Sequence, residues 1–440
     1  MIPRALNVWI NDARVGRIRE HNGLWAFAYA PEWLASHSAF PVCPGLPLQP
    51  EEHLDGASHR PVQWYFDNLL PEEGQRALLA KACAANVEDA FTLLQVYGAE
   101  SAGSLTLLPP DAPPPATSSE KPLPFEELSQ RIQQMPQVPL AYRSAKKMSL
   151  AGAQHKMAVI YRDGALFDPE GSAPSTHILK PDHPDRAWAH SVINEWFVMT
   201  LAKRVGLAVP EVTRLYVPEP VYLVARFDRT HDAGHWQRQH CLDTCQLLGL
   251  SREFKYSAGS VTRLAEVAAL CAPAAVARLA LFEWLVFNVL VGNEDAHLKN
   301  LSFLTYGAKV RLAPFYDLLC MSVYGTRAFD KDTWPQAVTL AWPIEGEAHL
   351  NQVTPALLLA AAEVMGIKPG TARTAITRLV SKVSTQAKQL LAEVAQENSV
   401  LTAQRPTLKA TLAGEMRLLR AIVSIVIAEM TRQLGPIDAR

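Results

Sequence analysis

Excess charge of either sign is missing from this chain. The formal net charge is −1 and only 19% of residues are charged, which excludes a strongly basic nucleic-acid wrapper. Any contact with DNA therefore needs a local patch or a partner. Cysteine at metal-ligand spacing is missing too. The 6 cysteines are scattered, and the one close pair, Cys241 and Cys245, lacks the second pair that a zinc site requires. Reduced thiols in a cytosolic protein are the expectation. Met1 to Trp9 shows no charged-then-apolar signal pattern, and the apolar segment Ala421 to Ala428, bounded by Arg420 and Glu429, is too short to span a bilayer. No internal repeat is evident. What is present is a chain of 440 residues, 49% hydrophobic, long enough for two or three domains with a well-buried core. A soluble cytoplasmic protein is expected.

The pattern along the chain starts with strands. Leu6–Ile10 and Arg14–Ile18 flank the turn pair Asn11-Asp12, and Leu24–Tyr29 alternates after Asn22-Gly23. After a Pro-rich loop (Pro41 to Pro50), Val62–Leu70 and Glu72–Ala85 read as helices, and Leu105–Leu108 as a returning strand. Pro109 to Pro124 holds seven prolines among Ala, Ser and Thr, the composition of an extended linker. Beyond it, Lys156–Tyr161 and His177–Lys180 read as strands around Asp163-Gly164, about His190 to Val205 as a helix, and Leu215–Val217 and Tyr222–Phe227 as strands. From about Asp243 the reading is nearly all helix, with one strand pair, Leu301–Leu304 and Val310–Leu312. The boundaries expected are 1–108, a linker 109–124, a small-lobe-like α/β region 125–227, and a helical region 228–440.

The stretch that carries chemistry is Gly292-Asn293-Glu294-Asp295-Ala296-His297-Leu298-Lys299-Asn300, followed by Pro314-Phe315-Tyr316-Asp317. An Asp, an Asn five residues later and a second Asp beyond a hairpin make the polar skeleton of a phosphoryl-transfer site. Asp295 would accept the proton of an attacking hydroxyl. Asn300 and Asp317 would offer oxygens to magnesium, and Lys299 or His297 would stabilise charge on the transferred group. The apolar run Leu279–Val291 just before would be a buried helix supporting the loop. Asp295 alone would more simply cap a turn; the combination favours a kinase.

Lys180 ends a strand, and Glu195 lies on the otherwise apolar face of the helix after it. A core-facing Glu wants a cation, so a Lys180–Glu195 pair would hold the ammonium toward the α- and β-phosphates. Ser149 to Lys156 is a small-residue loop whose backbone N–H groups would cradle phosphates, or a plain loop before a strand; it is not G-x-G-x-x-G. Val224 to Arg229 is either a hinge that bonds adenine, with Phe227 as an apolar face, or a strand end with a charged turn.

With these residues in view the chain resembles the HipA family of bacterial serine/threonine-protein kinase toxins. The matching strings are Ala30-Pro31-Glu32-Trp33-Leu34-Ala35-Ser36, Phe66 to Pro71, Ser149 with Ala151-Gly152-Ala153-Gln154 and Lys156, Thr176-His177 with Lys180, Arg226 to Arg229, Asp295 with His297, Lys299 and Asn300, and Pro314 to Asp317. They run in order over residues 1–320. The resemblance implies an α+β fold, bilobal and protein-kinase-like, with an N-terminal β-rich subdomain and an all-helical C-terminal lobe. It implies ATP and Mg2+ as cofactors and an aminoacyl-tRNA synthetase, such as glutamyl-tRNA synthetase, as protein substrate, with dormancy or multidrug tolerance as the outcome. It implies nucleotide or metal contacts from Ala151, Gly152, Ala153, Gln154, His155 and Lys156, from Lys180, from Ala225, Arg226 and Phe227, and from His297, Leu298, Lys299, Asn300, Tyr316 and Asp317. Asp295 would be the proton acceptor and Ser149 the autophosphorylated serine that shuts activity off. The implied partners are a HipB-like DNA-binding antitoxin and, mainly through it, operator DNA.

Two other readings share parts of this pattern. A small-molecule kinase of the aminoglycoside-phosphotransferase or lipid-kinase sort has the same Asp…Asn…Asp skeleton, but the N-terminal module and the Ser149 loop speak against it. A silent corepressor docked to antitoxin and DNA would not need Asp295, Asn300, Asp317 and Lys180.

Overall fold

The structure is a computed structural model that describes all residues except 1–3, 113–116, 145, 147, 149, 151, 153, 233–234, 307–308 and 436–440. The chain forms two compact units, each assembled from separated segments. Unit 1 gathers residues 1–181, 223–254 and 302–313, and unit 2 gathers 182–222, 255–301 and 314–440.

Unit 1 opens with an antiparallel five-stranded sheet ordered His53–Leu54, Leu24–Tyr29, Ala13–His21, Arg4–Ile10 and Leu105–Leu108. Alternation sets its faces: Leu6, Val8, Val15, Ile18 and Phe27 are fully buried. The expected turns form where the chemistry of Asn and Gly allows positive φ, with Asn22 at 54° and Gly23 at 77°. Against the sheet lies the helix Pro61–Asp67, begun by proline and capped from a distance: Asp55 accepts the N–H groups of Val62 (2.8 Å) and Gln63 (3.0 Å). Phe66 from this helix meets Phe27 of the sheet at 5.8 Å between ring centres.

A second sheet of unit 1 runs Ser118–Pro122, Ala165–Gly171, Met157–Arg162 and His177–Pro181, these four antiparallel in succession, then the strand Pro220–Ala225, of which residues 223–225 belong to this unit. Two expectations change here. Part of the Pro-rich stretch is no linker: Ser118–Pro122 is an edge strand paired with Ala165–Gly171. Its side chains are all exposed, so it has no apolar alternation to read, and an edge position tolerates its proline. Asp163 and Gly164 (φ 52° and 80°) close a tight hairpin into Ala165–Gly171, a strand the pattern did not suggest. The hairpin Ser302–Tyr306/Lys309–Leu312 also belongs to unit 1, beside Cys241–Asp243. All six cysteines are free.

A buried ionic cluster ties the distant segments of unit 1 together. Glu100, fully buried, receives Arg229 and Arg238 at 2.8 Å, Lys146 at 3.0 Å and Arg226 at 3.2 Å. Asp228 takes Arg226 at 2.7 Å and also accepts the Gly103 N–H. Burial alone would raise the Glu100 carboxyl, but the cations, Arg238 and Arg229 foremost, hold it well below the usual range. Burial likewise lowers the Lys146 ammonium to about 8, although Glu100 opposes the shift.

Unit 2 is mainly helical. Its helix Ala274–Val291 is long and apolar enough to cross a membrane by length and composition, yet Phe282, Trp284, Val286, Phe287 and Val289 are fully buried inside the unit. The 36-residue helix Pro369–Gln404 buries Ala372, Ile376, Leu379, Val383, Ala387, Leu390 and Val394, a stripe at three- and four-residue spacing. It packs on Ser191–Val205 and on Ala274–Val291. The mixed helix-and-sheet fold agrees with expectation. One hairpin, Thr339–Ile344 with Glu347–His349, corrects the expectation of an all-helical region. Glu345-Gly346 makes its turn at φ 51° and 83°, a Gly-containing turn of the kind that marks hairpins, and the short flanking strands hide it.

Candidate active site

The helix Ala274–Val291 aims the loop that carries Asp295 and Asn300. It ends at Gly292, which sits in the left-handed region at φ 64°. A Cβ there would lie 2.8 Å from Val426 Cγ1 and 2.9 Å from Ser322 Cβ. Two amides then lock the exit: Asn288 Nδ2 donates to Trp284 O, and Asn293 Nδ2 to Asn288 Oδ1, each at 2.8 Å. Asn293 Oδ1 accepts the Asp295 N–H at 3.3 Å. Gly292→Ala, strained in backbone and space alike, is expected to cost about 2–4 kcal/mol and to displace Asp295. Urea denaturation alongside an activity assay checks both effects.

The loop folds back on itself. The His297 N–H donates to Asp295 O (2.8 Å) and to Asn300 Oδ1 (3.1 Å), and a single 3-10 turn spans Leu298–Asn300. Trp342 Nε1 donates to Ala296 O at 2.5 Å and Tyr316 Oη to Lys299 O at 2.8 Å. His297, Lys299 and Asn300 are buried. Leu298 is a core side chain whose N–H is bonded to Lys255 O, so it contributes support to the loop.

The second acidic residue arrives on the segment Pro314–Asp317, where the Phe315 N–H bonds Ala208 O and its ring stacks on Trp284 at 6.1 Å. Asp317 itself has φ 58°, a conformation that non-glycine residues hold only when the surroundings enforce it. Two clamps do so. Asn194 pairs with Cys320 like a neighbouring strand, donating Nδ2 to its carbonyl (2.9 Å) and accepting its N–H (2.8 Å). The Ser322 N–H bonds Gly292 O at 3.0 Å, joining this segment to the start of the Asp295 loop. The result is contact between the expected metal ligands: Asn300 Nδ2 lies 2.7 Å from Asp317 Oδ2. Asp295 stands on the same loop, its Oδ1 accepting from Tyr256 Oη at 2.6 Å. The ring of Tyr256 meets His297 edge-on at 5.0 Å. The neighbouring Glu294 carboxyl is raised by burial and then by the charge of Asp295. Glu195 also belongs here. The Tyr222 hydroxyl is pushed well above its ordinary value by burial and next by the charges of Glu195 and Asp317.

Magnesium is a hard cation that takes one or two protein oxygens together with phosphates and waters. The Asp317 carboxylate offers such oxygens, whereas Asn300 turns its nitrogen to Asp317 and its Oδ1 to the His297 N–H and would have to present that oxygen to the ion. Among the described residues no three His, Cys, Asp or Glu side chains form a metal-holding group, and magnesium does not require one.

In unit 1, Lys180 is buried at the end of His177–Pro181. Of the small-residue loop, Ser149, Ala151 and Ala153 lie outside the described residues. Met148 and Leu150 are buried, and Met148 Sδ accepts the Ala158 N–H at 3.0 Å. Gly152, at φ 104°, lets the chain lie against Lys156, whose Nζ is 2.7 Å from where a Cβ would be. Gln154 is half-buried and His155 buried. Beyond Ala225, Arg226 gives its side chain to the ionic cluster and its N–H to Thr176 O. Phe227 packs on Cys241, Leu304 and Ala313. Three contributors escaped sequence reasoning: Tyr256, the Asn194 clamp and the Asn288–Asn293 lock. Each is a polar side chain whose partner lies on another segment or around a tight turn, so no spacing rule marks it.

A mixed α+β chain in which a buried helix presents an Asp–Asn loop to a second Asp is protein-kinase-like, and comparison with known proteins agrees. The family model for the HipA-like C-terminal domain matches residues 148–387, and that for the HipA N-terminal domain matches residues 6–108. The chain belongs to the HipA family. It is 36% identical to Y4mE of Sinorhizobium fredii, named as an inferred kinase, over 74% of this chain and 79% of that protein. It is 29% identical to the serine/threonine-protein kinase toxin HipA of Shewanella oneidensis over 88% of this chain and 89% of that one. The solved Shewanella oneidensis complex of HipA, HipB and operator DNA contains a chain that superposes with TM-score 0.74 at 27% identity, covering 97% of this chain and 99% of its own.

Proposed function

We propose that the protein is a serine/threonine-protein kinase of the HipA type, the toxin of a toxin–antitoxin pair. The observation that carries this is the Asn300–Asp317 contact at 2.7 Å beside the loop that presents Asp295. In the proposed reaction an acceptor hydroxyl oxygen bonds to the γ-phosphorus of ATP, the bond from that phosphorus to the bridging oxygen breaks, and ADP leaves. The hydroxyl proton passes to the Asp295 carboxylate. Asn300 and Asp317 would hold magnesium, which neutralises charge on the β- and γ-phosphates. Lys180, paired with Glu195, would hold the α- and β-phosphates, and Lys299 and His297 would face the transferred group. Ala225 to Phe227 would read adenine by backbone, and residues 151–156 would cover the phosphates. Residues 1–108 are the N-terminal subdomain in this reading, and the rest, from residue 125, forms the kinase.

The proposal extends to a protein substrate of the aminoacyl-tRNA synthetase class, glutamyl-tRNA synthetase first among them, and to a cytoplasmic setting. Similarity to a protein solved with HipB and operator DNA supports a HipB-like antitoxin partner, with operator DNA reached mainly through it. Self-inactivation at Ser149 gives the test. A phosphate there would place a dianion in a loop built to approach the nucleotide's own phosphates. Ser149→Ala is expected to keep its initial rate but to lose the progressive slowing seen in wild type incubated with ATP. An unchanged phosphate gain by intact mass in the variant would refute the assignment.

A further inference from the structure

Tyr256 is a side chain in direct contact with Asp295 that the proposed reaction does not use. Its Oη donates to Asp295 Oδ1 at 2.6 Å, the spacing a general base needs to the hydroxyl it deprotonates. The segment carrying it is anchored: the Leu298 N–H bonds Lys255 O at 3.0 Å, and Gly259 leaves no room for a Cβ, which would fall 2.1 Å from Ala341 O. The ring lies edge-on to His297 at 5.0 Å, with Lys255 Nζ 5.0 Å from its centre. The side chain nevertheless remains 45% exposed. It can therefore swing into solvent without moving its backbone.

We propose that Tyr256 is the resident occupant of the acceptor site. Its phenol stands where a substrate serine or threonine hydroxyl must stand, and keeps water from Asp295 until a protein acceptor displaces it. This inference rests on the kinase reading of Asp295. A carboxylate engaged by the phenol is a weaker base toward any other hydroxyl, so the idle enzyme wastes little ATP. When the phenol is absent, a water oxygen bonds to the γ-phosphorus, the bond to the bridging oxygen breaks, and the water proton goes to Asp295, giving ADP and inorganic phosphate.

The test is the initial rate of ADP release from ATP with magnesium and no protein acceptor, in wild type, Tyr256→Phe, Asp295→Asn and the double variant. Tyr256→Phe keeps the ring against His297 and removes only the hydroxyl. Its hydrolysis is expected to rise about tenfold or more, the worth of one charge-assisted hydrogen bond, and to collapse to the Asp295→Asn level in the double variant. An unchanged or lower rate in Tyr256→Phe overturns the proposal while leaving the kinase reading intact, as does a rise that survives loss of Asp295. Equal phosphoryl transfer to a protein acceptor by wild type and Asp295→Asn overturns the kinase reading and this inference together.

Discussion

Asp295→Asn is expected to lower phosphoryl transfer by about 10²–10⁴-fold and to leave nucleotide affinity nearly unchanged. The substitution keeps the shape of the loop, because the bonds that fold it use the Asp295 backbone and the Asn300 side chain. It keeps the oxygen that accepts from Tyr256. What it removes is the carboxylate proposed to accept the proton, and a loss confined to kcat would mark an interaction made only in the transition state. Asp317→Asn separates the two proposed roles: removing the charge proposed to hold the metal should raise the magnesium concentration needed for half-maximal rate, an effect Asp295→Asn should not produce. Titrating magnesium at saturating ATP in both variants is the measurement. Equal magnesium requirements in the two would argue that Asp317 is no ligand.

The second large effect is on stability. Glu100→Ala is expected to destabilise unit 1 by about 3–5 kcal/mol, the usual cost of leaving buried charges without their partner. Four cations converge on that one carboxylate, and among the described residues Asp228 pairs with Arg226 and Arg229 but not with Lys146 or Arg238. The sign of the pH dependence follows from the shift. The Glu100 carboxyl is held well below its ordinary 4.5, so its contribution is fully present above that value and is lost as pH falls through the folded-state pKa. The gap between wild type and variant should therefore be widest near neutrality and close in strong acid. Thermal unfolding at stepped pH reads it directly, and a gap that widened in acid would contradict the assignment.

Much of the fold could be read from local pattern. Leu6, Val8 and Ile10 alternate, Asn22-Gly23 demands a hairpin, and the stripe from Ala372 to Val394 repeats at helical spacing. The Asp295, Asn300 and Asp317 spacing was legible for a similar reason, since one helix end and one hairpin determine it. What the sequence hid were interactions between distant segments. Arg226 reads as a hinge residue, but its guanidinium is taken by Glu100 and Asp228. Nothing near Asn194 announces that it holds the backbone at Cys320. Ser118–Pro122 looks like linker because an exposed edge strand has no buried face to encode. Tyr256 sits thirty-nine residues before the carboxylate it touches.

The most direct test is a phosphoproteomic comparison of cells making the wild-type protein with cells making Asp295→Asn at the same level. A small set of protein phosphoserine or phosphothreonine sites present only with wild type, a translation protein among them, is the predicted result. Indistinguishable phosphoproteomes, with growth arrested equally by both proteins, would contradict it.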